Sequence, residues 1–147
     1  MIDSLHDPAE ISADQTRLDL DFIYSEISQK YWSRNIPRTV LEKAIANSMS
    51  FGVYLQSNGA QIGFARVVTD YATFAYLADV FITESYQGKG YAKQLIATIK
   101  SDPQLAGLRR WMLITRDAHG LYRHHEFTML AHPERVMEHA NPDIYMP

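Results

Sequence analysis

Apolar positions recur along the chain in two periods, and the switches between them mark out its elements. Leu18, Phe22, Ile23 and Ile27 stand at helical spacing and predict a first helix that ends in the aromatic pair Tyr31-Trp32. After Asn35-Ile36-Pro37, the residues Val40, Leu41, Ala44, Ile45 and Ser48 share one face. With Thr39 to Glu42 as a capping box, they predict a second helix to about Asn47. The period then shortens. Residues 51–56 and 61–69 are β-rich runs joined through Ser57-Asn58-Gly59, a hairpin signal, and residues 73–82 follow Asp70-Tyr71-Ala72 as the third strand of an antiparallel meander. Tyr91, Leu95, Ile96 and Ile99 return to helical spacing until Asp102-Pro103 stops the helix. Residues 110–115 read as a buried strand returning parallel to the previous one, residues 117–124 as a short helix capped by Asp117, and residues 127–130 as a last strand. Residues 1–15 and 131–147 carry no period and read as tails. The order ααβββαβαβ predicts an α/β (α+β) layer fold whose mixed sheet is antiparallel first and parallel in the middle.

Composition narrows the chemistry. A chain of 147 residues fits one domain spanning 1–147 and buries roughly 68–70% of the unfolded surface, enough for a core and one ligand cleft. With no cysteine there is no disulfide framework, thiolate metal site or cysteine nucleophile. The opening Met1-Ile2-Asp3-Ser4-Leu5-His6-Asp7 has neither a basic nor an apolar leader region, and no stretch approaches the ~20 apolar residues of a membrane span. A cytoplasmic address is expected, with no membrane partner. The 14 basic and 17 acidic residues, without a basic block, predict no general attraction to nucleic acid, so an anionic ligand must be held locally. Five of the six histidines follow residue 118, but none of them pairs at the His-x-x-x-His spacing of a helical metal site, and no metal is expected.

The stretch from Ile82 to Lys93 carries the most chemistry. It joins a β-rich run to an amphipathic helix, and Gly88 and Gly90 allow backbone curvature that turns several N–H groups onto one anion. Lys93 stands where the third glycine of Gly-x-Gly-x-x-Gly would be, and the Gly-Lys-Ser/Thr of a P-loop is absent, which disfavours dinucleotide and ATP sites.

Gln87-Gly88-Lys89-Gly90-Tyr91-Ala92 resembles the Gln/Arg-x-x-Gly-x-Gly/Ala signature of the GNAT superfamily of N-acetyltransferases, whose loop binds the pyrophosphate of acetyl-CoA. Residues 77–82 resemble that family's fourth strand and Lys93-Gln94-Leu95-Ile96 its third helix. Residues 112–115, 117–122 and Phe127 resemble its fifth strand, fourth helix and closing aromatic. The resemblance covers residues 18–130, most specifically 77–127. It departs at Glu126, where the family usually has glycine, and at Tyr76, where histone-type members carry a glutamate base. It implies a parallel βαβ pair splayed to hold CoA. The backbone of Val80, Phe81 and Ile82 would meet the pantetheine arm, residues Gln87, Gly88, Lys89, Gly90, Tyr91 and Ala92 the pyrophosphate, with Lys93 and Asp117 beside the cofactor.

Acetyl transfer to an amine needs a neutral nucleophile and a proton for the departing thiolate. A lysine-like amine of pKa ~10.4 costs about 4.6 kcal/mol to deprotonate at pH 7, whereas a phenol at ~10 stays protonated and can donate. The resemblance makes Tyr122 the general acid. Asp79, Glu84, His119 and a water chain remain alternatives for the base, and Asp79 could instead pair with Arg66 or Arg116. Arg66, Asp70 and Tyr71 are candidate acceptor contacts, and among Tyr24, Tyr31, Trp32, Tyr71 and Phe74 some are expected to wall the acceptor cleft. The expected activity is acetyl-CoA-dependent N-acetylation of a small-molecule amine by direct attack in a ternary complex, with a homodimer left open. The alternative is a non-catalytic acyl-CoA-binding sensor module.

Overall fold

A computed structural model describes residues 7–147; the reading of residues 1–6 as part of a leaderless, irregular lead-in lies outside the described residues. Residues 9–12 depart from that reading. Ala9–Ser12 form strand β1, paired antiparallel with β2 (Met49–Leu55) from Ala9 opposite Leu55 to Ser12 opposite Gly52. Four residues are too few to show alternation, and it is the neighbouring strand and helix that order them. The Tyr91 hydroxyl donates to the Asp7 carbonyl, and Gln94 Nε2 donates to that of Ala9 at 3.1 Å.

Helix α1 (Leu20–Ile27) begins at Asp19, whose carboxylate accepts the Phe22 N–H, and turns Ile23 and Ile27 inward. It stops short of Tyr31-Trp32. The Ser33 hydroxyl donates to the Ile27 carbonyl at 2.6 Å and Asn35 sits at φ 67°, so the aromatic pair stands on a loop rather than on the helix. Helix α2 (Arg38–Ala46) starts at Pro37 without a side-chain cap, which places Thr39 one residue inside the helix and leaves the expected capping box unformed.

Strands β2, β3 (Gln61–Thr69) and β4 (Phe74–Ile82) form the meander as expected. Asn58 accepts the Ala60 N–H in the first turn, with Gly59 at φ 75°. Helix α3 (Tyr91–Lys100) crosses over to β5 (Arg110–Leu113), parallel to β4. Helix α4 (His119–Arg123) is not capped by Asp117; the Thr115 hydroxyl takes the Ala118 N–H instead, at 3.0 Å. Glu126 adopts φ 73°, the left-handed region where glycine carries no steric cost, and residues 127–130 form no strand. The sheet order is therefore β1-β2-β3-β4-β5, and the parallel pair closes one edge instead of occupying the middle.

Helices cover both faces. On one, α3 packs Leu95, Ile96 and Ile99 against Phe51, Val53 and Val67, with Tyr122 of α4 in the same cluster. On the other, α1 and α2 press Ile23, Ile27, Leu41 and Ile45 onto Phe64 and Phe81. Strand β3 is tight at Gly63, where a Cβ would lie 2.6 Å from Ile82 Cδ1 and 2.9 Å from the Phe81 carbonyl. Backbone cannot yield as a side chain can. Gly63→Ala is expected to cost about 1–3 kcal/mol by overpacking, read as a lowered denaturant midpoint at unchanged slope.

Candidate active site

Strands β4 and β5 pair only from Phe74 opposite Arg110 to Leu77 opposite Leu113. There β5 ends, while β4 continues for five residues with β3 along one side and no strand along the other. The parting opens a cleft of about 440 Å³. Leu77, Ala78, Asp79 and Val80 line it from β4, Thr115, Asp117 and Tyr122 from the β5–α4 side, and Tyr31, Trp32 and Ser33 from the α1–α2 loop.

A bulge shapes the β4 wall. Phe64 faces Phe81 and Arg66 faces Ala78, so β4 holds one residue more than β3 over this stretch, and Asp79 adopts φ 56°. Asp tolerates the left-handed region better than most residues, and here its carboxylate is also held. Trp32 Nε1 donates to Oδ1 at 2.8 Å, Arg66 Nε donates to Oδ2 at 2.9 Å, and Arg66 Nη1 donates to the Ser48 hydroxyl at 3.1 Å. The Asp79 and Arg66 side chains are only 9% and 18% exposed. Across the cleft mouth, Arg116 lies 3.8 Å over the Tyr31 ring. The α1–α2 loop is thus clasped from β4 by Asp79 and from beyond β5 by Arg116.

Tyr122 is buried and lines this cleft, and burial, assisted by Tyr31 and Asp117, pushes its phenol up to about 12. The phenol therefore keeps its proton at any physiological pH. Of the candidate bases, Asp79 already receives a donor on each oxygen, Glu84 is exposed on a short 3₁₀ turn after β4, and His119 lines not the cleft but a neighbouring groove that shares Ile114, Thr115 and Tyr122 with it. Asp117 is exposed at the cleft. Of the candidate acceptor contacts, Arg66 lines the cleft, whereas Asp70 and Tyr71 do not. The Asp70 carboxylate closes the β3–β4 turn, accepting N–H bonds from Ala72, Thr73 and Phe74 and the Thr73 hydroxyl. These contacts hold it well below the usual carboxylate range. Tyr71 sits on the same turn at φ 63°.

The glycine loop follows β4. Gly88 and Gly90 adopt φ 77° and 90°, with open space where a Cβ would point. No side chain caps α3, whose intrahelical bonding begins with the Gln94 N–H on the Gly90 carbonyl. Lys89 and Lys93 are exposed beside this end of the helix. Gln87 turns back, donating through Nε2 to the Ile82 carbonyl at 2.9 Å, and the Tyr91 ring is buried under the sheet, so both residues shape the loop rather than extend from it. Phe81 and Ile82 likewise bury their side chains and offer only backbone.

Tyr31 and Trp32 are aromatics that wall the cleft; Tyr24 and Phe74 do not line it. Tyr76 and Tyr145 join the walls unforeseen. For Tyr76 the alternation with Ala78 along β4 was the available signal. Tyr145 lies in an aperiodic stretch that gave none. Among the described residues there is no group of three His, Cys, Asp or Glu that could hold a metal, and no helix is long and apolar enough to cross a membrane.

Comparison with known proteins agrees with the arrangement. A family model described as an acetyltransferase (GNAT) domain matches residues 49–129. A protein of Gibberella zeae named as a candidate acetyltransferase is 30% identical over 131 residues, 76% of this chain and 74% of its own. A crystal structure from Xanthomonas campestris pv. campestris, described as a candidate acetyltransferase of the GNAT family, superposes with a TM-score of 0.91 at 41% identity, covering 95% of this chain and 98% of that one. A Staphylococcus aureus protein described as a probable acetyltransferase shares the fold at a TM-score of 0.69 and 20% identity, over 91% of this chain and 99% of that one.

The Asp79 knot is directly testable. Asp79→Ala leaves the Arg66 guanidinium without its carboxylate and puts a residue without a polar side chain at positive φ. It should cost about 2–3 kcal/mol, below the 3–5 of a fully buried broken pair because Arg66 keeps some water. Asp79→Asn retains an acceptor and should cost less, with both values read from urea unfolding.

Proposed function

Because the chain belongs to the GNAT acetyltransferase family, we propose that it transfers the acetyl group of acetyl-CoA to the amino group of a small molecule, by direct attack within a ternary complex. The observation that carries this reading is the parting of β4 and β5, which opens a cleft between a free strand edge and a buried phenol, on the strand whose continuation leads into the glycine loop and α3.

Acetyl-CoA, when bound, supplies the acetyl group as an activated thioester. The residues fit it: the open edge of residues 78–82 offers backbone donors and acceptors to an amide-bearing arm, and the N–H groups around Gly88 and Gly90 suit a pyrophosphate. Lys89 and Lys93 add charge at the loop. With no cysteine in the chain, a thioester enzyme intermediate has no residue to form on, which favours direct transfer. Tyr122 holds a proton at its Oη for the departing sulfur.

The acceptor amine has to arrive neutral. With Asp79 locked and Glu84 and His119 outside the cleft, an amino group of pKa near 8, costing about 1.4 kcal/mol at pH 7, fits this site better than a lysine-like amine at about 4.6 kcal/mol. Asp117 at the cleft and the aromatic walls suit the approach of such an ammonium group.

Tyr122→Phe is expected to retain acetyl-CoA binding by calorimetry while lowering turnover by about 10²–10⁴-fold in a thiol-release assay across a panel of amines. Unchanged turnover would remove Tyr122 from the chemistry. Binding with no turnover on any amine would favour the sensor module. The sign of the pH effect follows from burial: the phenol is protonated below about 12, so kcat should show no basic limb from this residue up to pH 10.

A further inference from the structure

Helix α3 ends at Lys100, and the half-buried side chain of that residue is committed to aromatic rings rather than to a carboxylate. Its Nζ lies 5.0 Å from the centre of the Trp111 ring on β5 and 4.9 Å from that of Phe127, and it stands in no ion pair among the described residues. The charges around it leave this contact in place. Arg110 and Glu126 line the same hollow without an ion pair to Lys100. The His125 imidazole, lowered by burial and by the charges of His124, Lys100 and Lys93, is neutral at pH 7.

Phe127 carries the contact onward. Its ring meets Trp111 edge-on at 6.4 Å and Tyr122 edge-on at 5.9 Å between centroids, and its N–H donates to the Tyr122 carbonyl at 3.2 Å. Backbone alone does not fix these rings. Helix α4 has five residues and no side-chain cap, and residues 127–131 make no backbone hydrogen bond to β5 among the described residues. In so short an element, the place of the Tyr122 ring depends on what its side chain rests against, and Phe127 is held in turn by Trp111 and by the Lys100 ammonium. An apolar side chain of the same length would fill the space beside the two rings, but only a cation is drawn to the face of each.

Helix α3 joins both ends of this arrangement. Its ten residues begin just after Gly90 of the glycine loop and end at Lys100, a rigid span of about 15 Å at 1.5 Å per residue. The turn assigned above to a pyrophosphate and the clamp on the aromatic rings are therefore a fixed distance apart.

We propose that Lys100 is a positioning residue for Tyr122: its ammonium clamps Phe127 and Trp111, and Phe127 holds the phenol in the pose from which it meets the departing sulfur. The inference rests on the reading of Tyr122 as general acid.

K100M keeps the length of the side chain and removes its charge, whereas K100R keeps the charge. In a thiol-release assay K100M should lower kcat by about 10–100-fold while the KM for acetyl-CoA stays within about twofold, and K100R should recover most of the loss. The circular dichroism spectrum and the calorimetric affinity for acetyl-CoA should be those of the unaltered chain in both variants. In a Y122F background K100M should cost no further turnover. Carbon-13 NMR of the chain labelled in its tyrosine rings gives a readout that needs no acceptor: the Tyr122 resonance, identified by its loss in Y122F, should shift in K100M and return in K100R. That shift and return in a chain that acetylates no amine would support the clamp and strike the acetyl-transfer reading alone. An unchanged kcat in K100M, a loss that persists in full in the Y122F background, or a Tyr122 resonance indifferent to Lys100 would each overturn the proposal.

Discussion

Strand β4 is nine residues long and β5 four, and the two are parallel. From that mismatch follows most of what surrounds the cleft. Where β5 stops, the second half of β4 keeps an edge with no strand against it inside the molecule rather than at its rim, and backbone groups there need other partners, as Gln87 is for the Ile82 carbonyl. The chain leaving β5 turns immediately through Thr115 into α4, which brings Tyr122 to the cleft from one side. The chain leaving β4 turns through Gly88 and Gly90 into α3, which presents an uncapped helix end near the other. In the proposed function these groups serve, in this order, a ligand with an amide-bearing arm and an anionic end.

The bulge at Asp79 is the second constraint. An extra residue in β4 re-aims the strand just where it loses β5, and the left-handed backbone that results is held by a carboxylate with two donors. The same carboxylate fastens Trp32, and so connects the conformation of the strand to that of the α1–α2 loop above it. Charge that was a candidate for proton transfer is here committed to architecture. This also explains why an acidic residue is tolerated in the interior of a strand: it is paired and hydrogen-bonded, and nearly out of water.

The glycine loop, the long α3 helix and the Phe74–Ile82 strand were legible because each rests on local rules: periodicity, left-handed glycine turns and a proline stop. The place of Tyr122 at the cleft was legible through resemblance rather than through its neighbours in sequence. The failures share a cause. Strand β1 has only four residues and forms because β2 and α3 hold it. The expected strand at 127–130 has the right residue types but a left-handed Glu126 before it and no pairing with β5. Asp70 looked like a cleft residue and is a turn closure, since its own following amides are nearer than any distant partner.

What the sequence by itself determined is the run of elements from α1 to α4 and the glycine turn that opens α3, because each depends on residues within a few positions of one another. What only the tertiary structure decided is which side chains remain available for chemistry. Whether Asp79 is a base or a brace depends on Trp32, 47 residues earlier, and Arg66, 13 residues earlier. Whether Tyr145 belongs to a tail or to a cleft wall depends on where the last turns come to rest. Contacts of that separation are set by packing the whole chain, and no local period records them.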